Sequence, residues 1–464
     1  MANLRISLPP TTAWDALRAE LSLPTAFPAN VLAEAQGAAA APRLPQLDLT
    51  GVPFLTIDPT GSTDLDQAMA LSRDGSGYRV QYAIADVAAF VTPGGAVDRE
   101  AHRRGETLYA PDGRTPLHPP VLSEGAASLL PDQVRPALVW QLDLDAHGEL
   151  AATGVRRAIV RSRRRLDYDT VQRAIDDRSA SPDLLLLKEI GQLRLQLARS
   201  RGAVDLPTPE QEVDPDGTLR YRAQLPSERW NAQISLLTGI AAAGLMLGGG
   251  VGLLRTLPPA DPEAVASLRR SALALGISWP QDQSYGQVIS ALDPSRPAAS
   301  ALLVLATRLL RGAAYTAFDG TAPVQPLHSA VAAPYAHCTA PLRRLADRYV
   351  GEVCLALCAG EAVPDWAREA LPQLPAEMAA ADKRAHELDR AVVDLAEAEV
   401  LAPRCGQTFE GVVTEAGSKG GAVQLTEPAV RARLDGADLP LGTTVRVVLE
   451  QADPVTRSVR FRLA

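Results

Sequence analysis

Aromatic residues and cysteines are scarce in this sequence. Phenylalanine, tyrosine and tryptophan together make up 4% of the 464 residues, and the chain has four cysteines. None of the four belongs to a CxxC pair or follows the Cys/His spacing of a zinc site, which excludes a disulfide framework and a zinc finger. We therefore expect buried, reduced thiols at Cys338, Cys354, Cys358 and Cys405.

The sequence also lacks a long apolar run, and its first residues lack the basic start and apolar core of a signal peptide. We therefore expect no membrane span and a cytoplasmic location. The net charge of −8 argues against a protein that coats nucleic acid indiscriminately, although a local basic channel is compatible with an acidic chain. We expect a monomer.

The order of strand-like and helical patterns divides the chain into three parts. Residues 1–48 are rich in Ala and Pro and predict a short helix that runs into a linker. Residues 49–402 carry strand patterns early and helical patterns from about residue 226, which predicts one large α+β domain. Residues 403–464 alternate apolar and polar residues in several short segments, which predicts an all-β OB-fold barrel.

The terminal barrel is expected to contact RNA, because OB folds are frequent nucleic-acid modules. Phe409 and Phe461 could stack bases, and Arg457, Arg460 and Arg462 could line one edge. The alternative is a barrel that only packs on its neighbour.

The stretch "TIDPTGSTDLDQA", residues 56–68, is unusually acidic. Asp58, Asp64 and Asp66 fall within nine positions. Asp64 and Asp66 are two apart, so in an extended backbone they point to one side while Leu65 points to the core. Carboxylates at this range repel each other unless a cation offsets them, and Mg²⁺ suits such an open set of oxygen ligands. The alternative is that these acids cap turns or are solvated.

The residues after this loop predict a β-hairpin. "AMALS" and "YRVQYAIAD" can be two strands joined by the turn "RDGSG". Antiparallel pairing of the two strands would bring Asp86 back beside the acidic loop, where it could join the other carboxylates.

A second polar segment, "HCTAPLRRLADR", places Thr339 and Pro341 where a helix is predicted to begin. Arg343 and Arg344 would then lie in its first turn and could bind an anion together, although either could instead pair with an acid. A metal held by carboxylates beside such a helix start is suited to phosphodiester hydrolysis.

These segments together resemble the RNase II family, whose catalytic unit is the RNB domain. The resemblance covers residues 49–402 through ordered blocks that include the acidic loop, "GETLYAPDGRTPLHPPVLSEG", "IVRSRRRLDYD", "PYAHCTAPLRRLADR" and "LDRAVVDL". The terminal barrel resembles the OB module, named after ribosomal protein S one, that commonly follows this domain.

The resemblance implies a processive 3′→5′ hydrolytic exoribonuclease that acts on single-stranded RNA and releases nucleoside 5′-monophosphates. It implies Mg²⁺ as cofactor, with Mn²⁺ as the substitute. Asp58, Asp64 and Asp66 match three of the four family acids, and Arg343 matches the arginine that acts on the scissile phosphate.

Further residues match family positions that contact the RNA. Tyr109 matches the tyrosine that stacks on the 3′-terminal base, Asp389 stands where relatives have a glutamate near the 3′ nucleotide, and Arg165 belongs to a basic stretch along the RNA path. Without the flanking blocks, Tyr109 would be interpreted as a half-buried strand aromatic and the basic stretch as an exposed face.

The sequence departs from the family in two places. Gln67 stands where the fourth acid is expected; its carbonyl can coordinate Mg²⁺ but carries no charge, so we predict a weaker metal site. Residues 1–48 are too few for the two cold-shock domains that typical members carry before the catalytic domain. The alternative function is therefore a catalytically weak or inactive RNA-binding member.

Overall fold

Strands dominate the early part of the chain and helices the middle, as the sequence patterns predict. The computed structural model describes residues 13–206, 210–213 and 219–464. The helices are α1 Ala13–Glu20, α2 Ala29–Ala40, α3 Ala96–Arg104, α4 Tyr168–Asp176, α5 Pro182–Ser200, α6 Pro226–Gly249, α7 Pro262–Ala274, α8 Tyr285–Ser290, α9 Pro297–Ala306, α10 Leu345–Ala359, α11 Asp365–Ala370 and α12 Leu374–Leu401. The strands are β1 Phe54–Asp58, β2 Gln67–Asp74, β3 Gly77–Ala85, β4 Leu108–Ala110, β5 Gly113–Thr115, β6 Val134–Leu144, β7 Leu150–Asp167, β8 Glu210–Val213, β9 Leu219–Arg222, β10 Val251–Thr256, β11 Ala314–Asp319, β12 Leu327–His328, β13 Ala333–Pro334, β14 Thr408–Gly417, β15 Gly420–Leu425, β16 Arg431–Asp435, β17 Thr444–Asp453 and β18 Ser458–Leu463. Short 3₁₀ helices lie at Val87–Ala89, Thr307–Leu310 and Ala402–Arg404, and a π-helical turn lies at Val121–Ala126.

The first barrel is closed by two strands that are far apart in the sequence. Its strand order is β1-β2-β3-β6-β7, and β1 pairs in parallel with β7 to complete the ring. The hairpin of β2 and β3 ends in the pair Asp74 and Gly77, which confirms the strand-turn-strand prediction. Helices α5, α6 and α10 pack against the barrel. Most of β3 is therefore buried, and Tyr82 in it is fully enclosed.

The terminal barrel has the predicted OB arrangement. Its order is β14-β15-β16-β18-β17, and β16 runs parallel to β18. The sequence patterns missed β16. Phe461 is 0% exposed and packs edge-on against Phe409, with ring centroids 5.9 Å apart. The expectation that Phe461 stacks bases is therefore wrong, because the interior of so small a barrel is filled by side chains.

The N-terminal segment forms two helices where one was expected. Trp14 of α1 is 1% exposed and lies in one core with α12 and the terminal barrel. Glu20 forms an ion pair of 2.7 Å with Arg457, so that arginine holds α1 and not an RNA edge. Arg18 donates to Asp112 in the turn between β4 and β5. Residues 1–12, where no signal peptide is expected, lie outside the described residues.

Helix α6 is a long apolar segment, which corrects the expectation that the sequence lacks one. By length and composition alone it could cross a membrane, and half of its most apolar stretch is buried inside the protein. Its residues Ile234 and Leu237 are fully buried in the large core with β3 and α10. A core helix passes the same test, so α6 is weak evidence for a membrane span.

The thiols are free, as expected, but only two are buried. Cys338 and Cys354 lie in the core, whereas Cys358 and Cys405 are exposed. The prediction of four buried thiols was therefore wrong for this second pair, which lies at or beyond the last turns of α10 and α12.

Candidate active site

The acidic loop is anchored at both ends in the first barrel. Strand β1 ends at Asp58 and β2 begins at Gln67. Between them Leu65 is 0% exposed, and its main-chain N–H donates to Ser128 Oγ at 2.9 Å. The side chain of Leu65 therefore occupies the core, as the alternation predicts, and holds the two aspartates beside it in place.

Asp66 is buried against the segment that carries Arg343. Its Oδ1 accepts a hydrogen bond of 2.7 Å from the main-chain N–H of Leu342, and its Oδ2 lies 3.7 Å from Arg343 Nε. Burial raises the pKa of Asp66 well above its usual range, while Arg343 and the Leu342 N–H oppose that rise. The structure thus places the acidic loop in contact with the segment that carries Arg343, which residue spacing alone could not predict.

Helix α10 begins later than predicted. It starts at Leu345 and not near Thr339 or Pro341, and the residues before it form a turn in which the Arg343 N–H donates to Ala340 O at 3.2 Å. The Arg343 side chain is 33% exposed, so its guanidinium remains accessible from solvent.

The Arg344 side chain, in contrast to that of Arg343, is buried. Its Nε and Nη2 donate to the two carboxylate oxygens of Asp347 at 3.0 and 2.9 Å, and both side chains are buried. The prediction that Arg343 and Arg344 bind an anion together is therefore corrected. The alternative, an arginine paired with a neighbouring acid, holds for Arg344.

Asp58 is the acid with an unused oxygen. Its Oδ2 is buried and has no hydrogen-bond partner among the described residues. Burial and the charge of Asp64 raise the pKa of Asp58 to about 7, while Arg343 and Arg165 lower it. Arg165 is exposed on β7, where it pairs with Thr56 of β1, so its charge acts on the rim of the site.

Asp64 is held by the hairpin of β4 and β5. Arg114 Nη1 donates to Asp64 Oδ1 at 2.5 Å, and the Tyr109 hydroxyl donates to Oδ2 at 3.2 Å. Tyr109 and Arg114 are cross-strand partners in that hairpin, and Tyr109 is 37% exposed. Sequence reasoning missed Arg114, which the two-residue turn Pro111-Asp112 places opposite Tyr109.

Gln67 is held by its neighbours at both ends of its amide. Its Nε2 donates to Thr339 O at 2.7 Å, and its Oε1 accepts from the hydroxyls of Tyr82 and Ser235. Tyr82 engages one lone pair of the carbonyl oxygen, whereas Ser235 lies at 3.4 Å and its hydroxyl can instead donate to Tyr82. The expectation that this carbonyl coordinates a metal stays a prediction.

Asp86 does not join the acids. Its carboxylate is 2% exposed and accepts a hydrogen bond of 2.6 Å from Arg157 Nε. Arg157 also contacts Glu352, so Asp86 belongs to a buried ion network on another face of the barrel. Asp86 is therefore excluded from the expected convergence of four carboxylates.

Asp389 lies on α12 and lines a cleft of about 660 Å³ between α9, α12 and the terminal barrel. Burial raises the pKa of Asp389, and His386 opposes the rise. The other lining residues are Tyr221, Ser300, Leu303, Val304, His386, Arg390, Val393, Asp394, Glu397, Gln424 and Arg431. The acidic-loop residues are absent from this lining, but α12 also contacts β4, the strand that carries Tyr109. A contact of Asp389 with the 3′ nucleotide therefore stays a prediction.

Comparison with protein families identifies the family to which this chain belongs. The RNB domain matches residues 46–358, and the RNase II-type exonuclease C-terminal S1 domain matches residues 407–464. The chain belongs to the RNB-domain family. The resemblance to the RNase II family and the predicted fold class are thereby confirmed.

Individual relatives extend this assignment. The chain is 27% identical over 413 residues to Ribonuclease R of Escherichia coli (strain K12), which covers 82% of this chain and 50% of that protein. The chain thus spans half the length of this curated relative. Its fold is similar to Mycoplasma genitalium RNase R in complex with ribose methylated single-stranded RNA, with TM-score 0.85, 20% identity and coverage of 97% and 77%. It is also similar to yeast Ssd1, a pseudonuclease, with TM-score 0.64, 18% identity and coverage of 89% and 55%.

The RNB-domain acids fit a divalent metal ion by their chemistry. Asp58 Oδ2 is a buried carboxylate oxygen without a partner in the part of the chain that the structure describes, and burial together with the charge of Asp64 raises the pKa of both Asp58 and Asp66. A hard cation such as Mg²⁺ satisfies such an oxygen and offsets such repulsion. Among the described residues, no group of three or more acids, histidines or cysteines is already arranged around one point. Asp64 and Asp66 instead have guanidinium partners.

Proposed function

We propose that this RNB-family protein is a Mg²⁺-dependent exoribonuclease, with Mn²⁺ as the substitute. It would hydrolyse single-stranded RNA processively from the 3′ end and release nucleoside 5′-monophosphates. The observation that carries the proposal is the pairing of buried Asp66 with the accessible guanidinium of Arg343. The charge of Arg343 also acts on Asp58, whose Oδ2 has no hydrogen-bond partner among the described residues. The direction of degradation, the processivity and the product rest on membership of the RNB family.

Asp58 and Asp66, with Asp64 beside them, would hold the metal ion. When bound, the ion supplies a nucleophilic water and charge for the phosphate oxygens. The Leu342 N–H fixes the orientation of the Asp66 carboxylate. Arg343 is accessible from solvent and can place its positive charge against the scissile phosphate, where negative charge develops.

Tyr109 would position the RNA. The residue is 37% exposed and its hydroxyl is bound to Asp64, so we expect its ring to stack on a base next to the acids. Stacking tolerates any base, which suits an enzyme that removes every nucleotide in turn.

A second candidate is an RNA-binding protein without nuclease activity. It is favoured by the engaged amide of Gln67 and by the likeness to a pseudonuclease. Against it stands the acidic cluster itself, because carboxylates repel phosphates and weaken RNA binding unless a metal ion bridges them. We therefore favour the nuclease.

The deciding experiment is a time course on a 5′-labelled single-stranded RNA with Mg²⁺ or with EDTA. Wild type with Mg²⁺ should shorten the RNA to a small labelled end product, and both EDTA and Asp66→Asn should prevent this. Asp74→Asn, which changes an acid at the far end of the β2–β3 hairpin, serves as the matched control and should behave as wild type.

Two results would contradict the nuclease. Release of the label as a mononucleotide would show the opposite direction of degradation. Intact RNA at saturating metal, together with retention of the RNA in a binding assay, would favour the RNA-binding candidate.

A further inference from the structure

Arg114 is the residue of the site that no feature of the sequence anticipated. It lies on β5, half-buried, and makes four polar contacts with its guanidinium group. Nη1 donates to Asp64 Oδ1 at 2.5 Å, Nη2 to Thr63 Oγ1 at 2.6 Å, and Nε to Glu124 Oε1 at 3.1 Å. Nη2 also lies 2.8 Å from Glu124 Oε2.

These contacts fix the guanidinium on two sides. Glu124 receives the fork formed by Nε and Nη2, which is the strong bidentate geometry of an arginine–carboxylate pair. Thr63 Oγ1 in turn donates to Glu124 Oε2 at 3.2 Å, so Thr63 and Glu124 form one network with Arg114. Glu124 therefore orients Arg114, and the remaining Nη1 is directed at Asp64.

These contacts determine what the carboxylate of Asp64 can still bind. Its two carboxylate oxygens are bound by the two cross-strand partners of one hairpin, Oδ1 by Arg114 and Oδ2 by Tyr109. Asp58 differs, because its Oδ2 has no partner among the described residues. A metal ion that used Asp64 as a ligand would have to displace a charged hydrogen bond and accept a cation as its neighbour.

We propose that Arg114 is a positioning residue that withdraws Asp64 from the metal ligands. The metal site of this chain then consists of Asp58 and Asp66 and takes one divalent ion, while Asp64 serves to hold the Tyr109 hairpin. This inference rests on the proposed metal dependence.

The test measures binding of Mn²⁺ alone, by loss of the free-ion signal in electron paramagnetic resonance, without RNA. Wild type should bind one Mn²⁺ per chain. Arg114→Gln should bind Mn²⁺ about tenfold more tightly, because a cation is removed and the Asp64 carboxylate is released beside the residues that would hold the ion. Arg114→Lys keeps the positive charge and should stay close to wild type.

A double-mutant cycle then assigns the effect to Asp64. Asp64→Asn in the wild-type background should change the Mn²⁺ Kd less than about twofold. The same substitution combined with Arg114→Gln should reverse the gain of that variant. Arg201→Gln, which breaks a partly exposed pair with Glu149 elsewhere, is the matched control and should have no effect. Thermal unfolding of each variant verifies that it is folded.

The proposal is overturned if Asp64→Asn alone weakens Mn²⁺ binding tenfold or more, or if Arg114→Gln leaves the Kd unchanged. Failure of wild type to bind Mn²⁺ overturns the metal dependence and this inference together. Binding of one Mn²⁺ with the expected cycle but without RNA cleavage supports the role of Arg114 and contradicts the nuclease activity.

Discussion

Asp66 and Leu342 are 276 positions apart, yet the main-chain N–H of Leu342 donates to Asp66 Oδ1 at 2.7 Å. This hydrogen bond joins the acidic loop to the turn before α10. It turns the other carboxylate oxygen of Asp66 towards Arg343, at 3.7 Å. The relative position of the acid and the guanidinium is therefore set by a backbone contact and does not depend on two flexible side chains finding each other.

Arg343→Lys tests the chemical role of this guanidinium. A lysine retains the charge but lacks the planar fork that binds a phosphate through two nitrogens. We expect single-turnover cleavage to slow about 10²–10³-fold, the effect of removing one donor to a transition-state oxyanion. The RNA Kd should change little, because one phosphate contact is a small part of the total.

The measurement is quenched single-turnover kinetics beside an RNA-binding titration. Arg163→Lys is the control, since Arg163 is an exposed arginine of β7 that donates to Thr50 O. Equal losses in cleavage rate and RNA affinity would show that Arg343 only binds RNA.

Tyr109 allows the ring and the hydroxyl to be tested separately. Tyr109→Ala removes the stacking surface and should weaken RNA binding by about 1–3 kcal/mol. Tyr109→Phe retains the ring and removes only the hydrogen bond to Asp64, so RNA binding should stay close to wild type. Fluorescence anisotropy with a labelled single-stranded RNA in EDTA measures both. Equal losses in the two variants would show that the hydroxyl, and not stacking, positions the RNA.

Gln67 leads to a prediction about the Mg²⁺ concentration that activity requires. If its missing charge weakens the metal site, Mg²⁺ titration of activity should show a higher requirement for wild type than for Gln67→Asp. The structure also predicts that Gln67→Asp is less stable than wild type. Aspartate cannot donate a hydrogen bond to Thr339 O, and leaving this carbonyl unsatisfied lowers the unfolding free energy by about 1–3 kcal/mol.

Gln67→Glu is the matched variant for this experiment, because it has the length of glutamine and also lacks the donor. Both variants should melt below wild type. Superimposable Mg²⁺ curves for wild type and Gln67→Asp would contradict the link between Gln67 and metal affinity.

Glu106 predicts a pH dependence of stability. It is 4% exposed, its Oε1 has no partner among the described residues, and burial together with the charge of Asp382 raises its pKa to about 7. Between its ordinary value of 4.5 and 7, the folded state retains a proton that the unfolded state has lost, so stability falls as the pH rises through this range.

Glu106→Gln removes this titration while it retains the shape of the side chain. Relative to wild type it should gain unfolding free energy between pH 4.5 and 7, by about 3 kcal/mol in total for a shift of this size. Urea unfolding at pH 5, 6, 7 and 8 measures the difference. A constant difference across this range would show that the carboxyl group is not held protonated in the folded state.

Much of the fold follows from sequence patterns because it is local. The β2–β3 hairpin and the burial of Leu65 follow from strand alternation and a turn, which neighbouring residues decide. The meeting of Asp66 with Arg343 could be expected only from family resemblance, since the contact is long-range.

The errors in the site have one physical cause. Arg344 and Asp86 each have the right chemistry for the site, but each has a closer or better-shaped partner in the fold: Asp347 and Arg157. Which partner a polar side chain takes depends on distances across the core, and a single sequence does not contain them.

Trp14 tests whether α1 is part of the folded unit. Its ring is 1% exposed in the core shared with α12 and the terminal barrel. Trp14→Ala should lower the unfolding free energy by about 3–5 kcal/mol, the usual effect of removing a buried tryptophan. Chemical denaturation followed by circular dichroism measures this. Trp279→Ala, at a partly exposed residue, should cost less. An unfolding free energy of Trp14→Ala that equals that of wild type would show that α1 does not depend on its buried ring.

The hydrogen bond between the Tyr109 hydroxyl and Asp64 also sets the distance between the Tyr109 ring and the acids. The strands at both ends of the acidic loop belong to a closed barrel, and the Tyr109 hydroxyl is hydrogen-bonded to Asp64 of that loop. An RNA end stacked on this ring would therefore present the same phosphodiester bond to the acids after each cut. Under the proposed function, the distance from the ring to the acids would then act as a ruler, and the step along the RNA would be one nucleotide whatever the base.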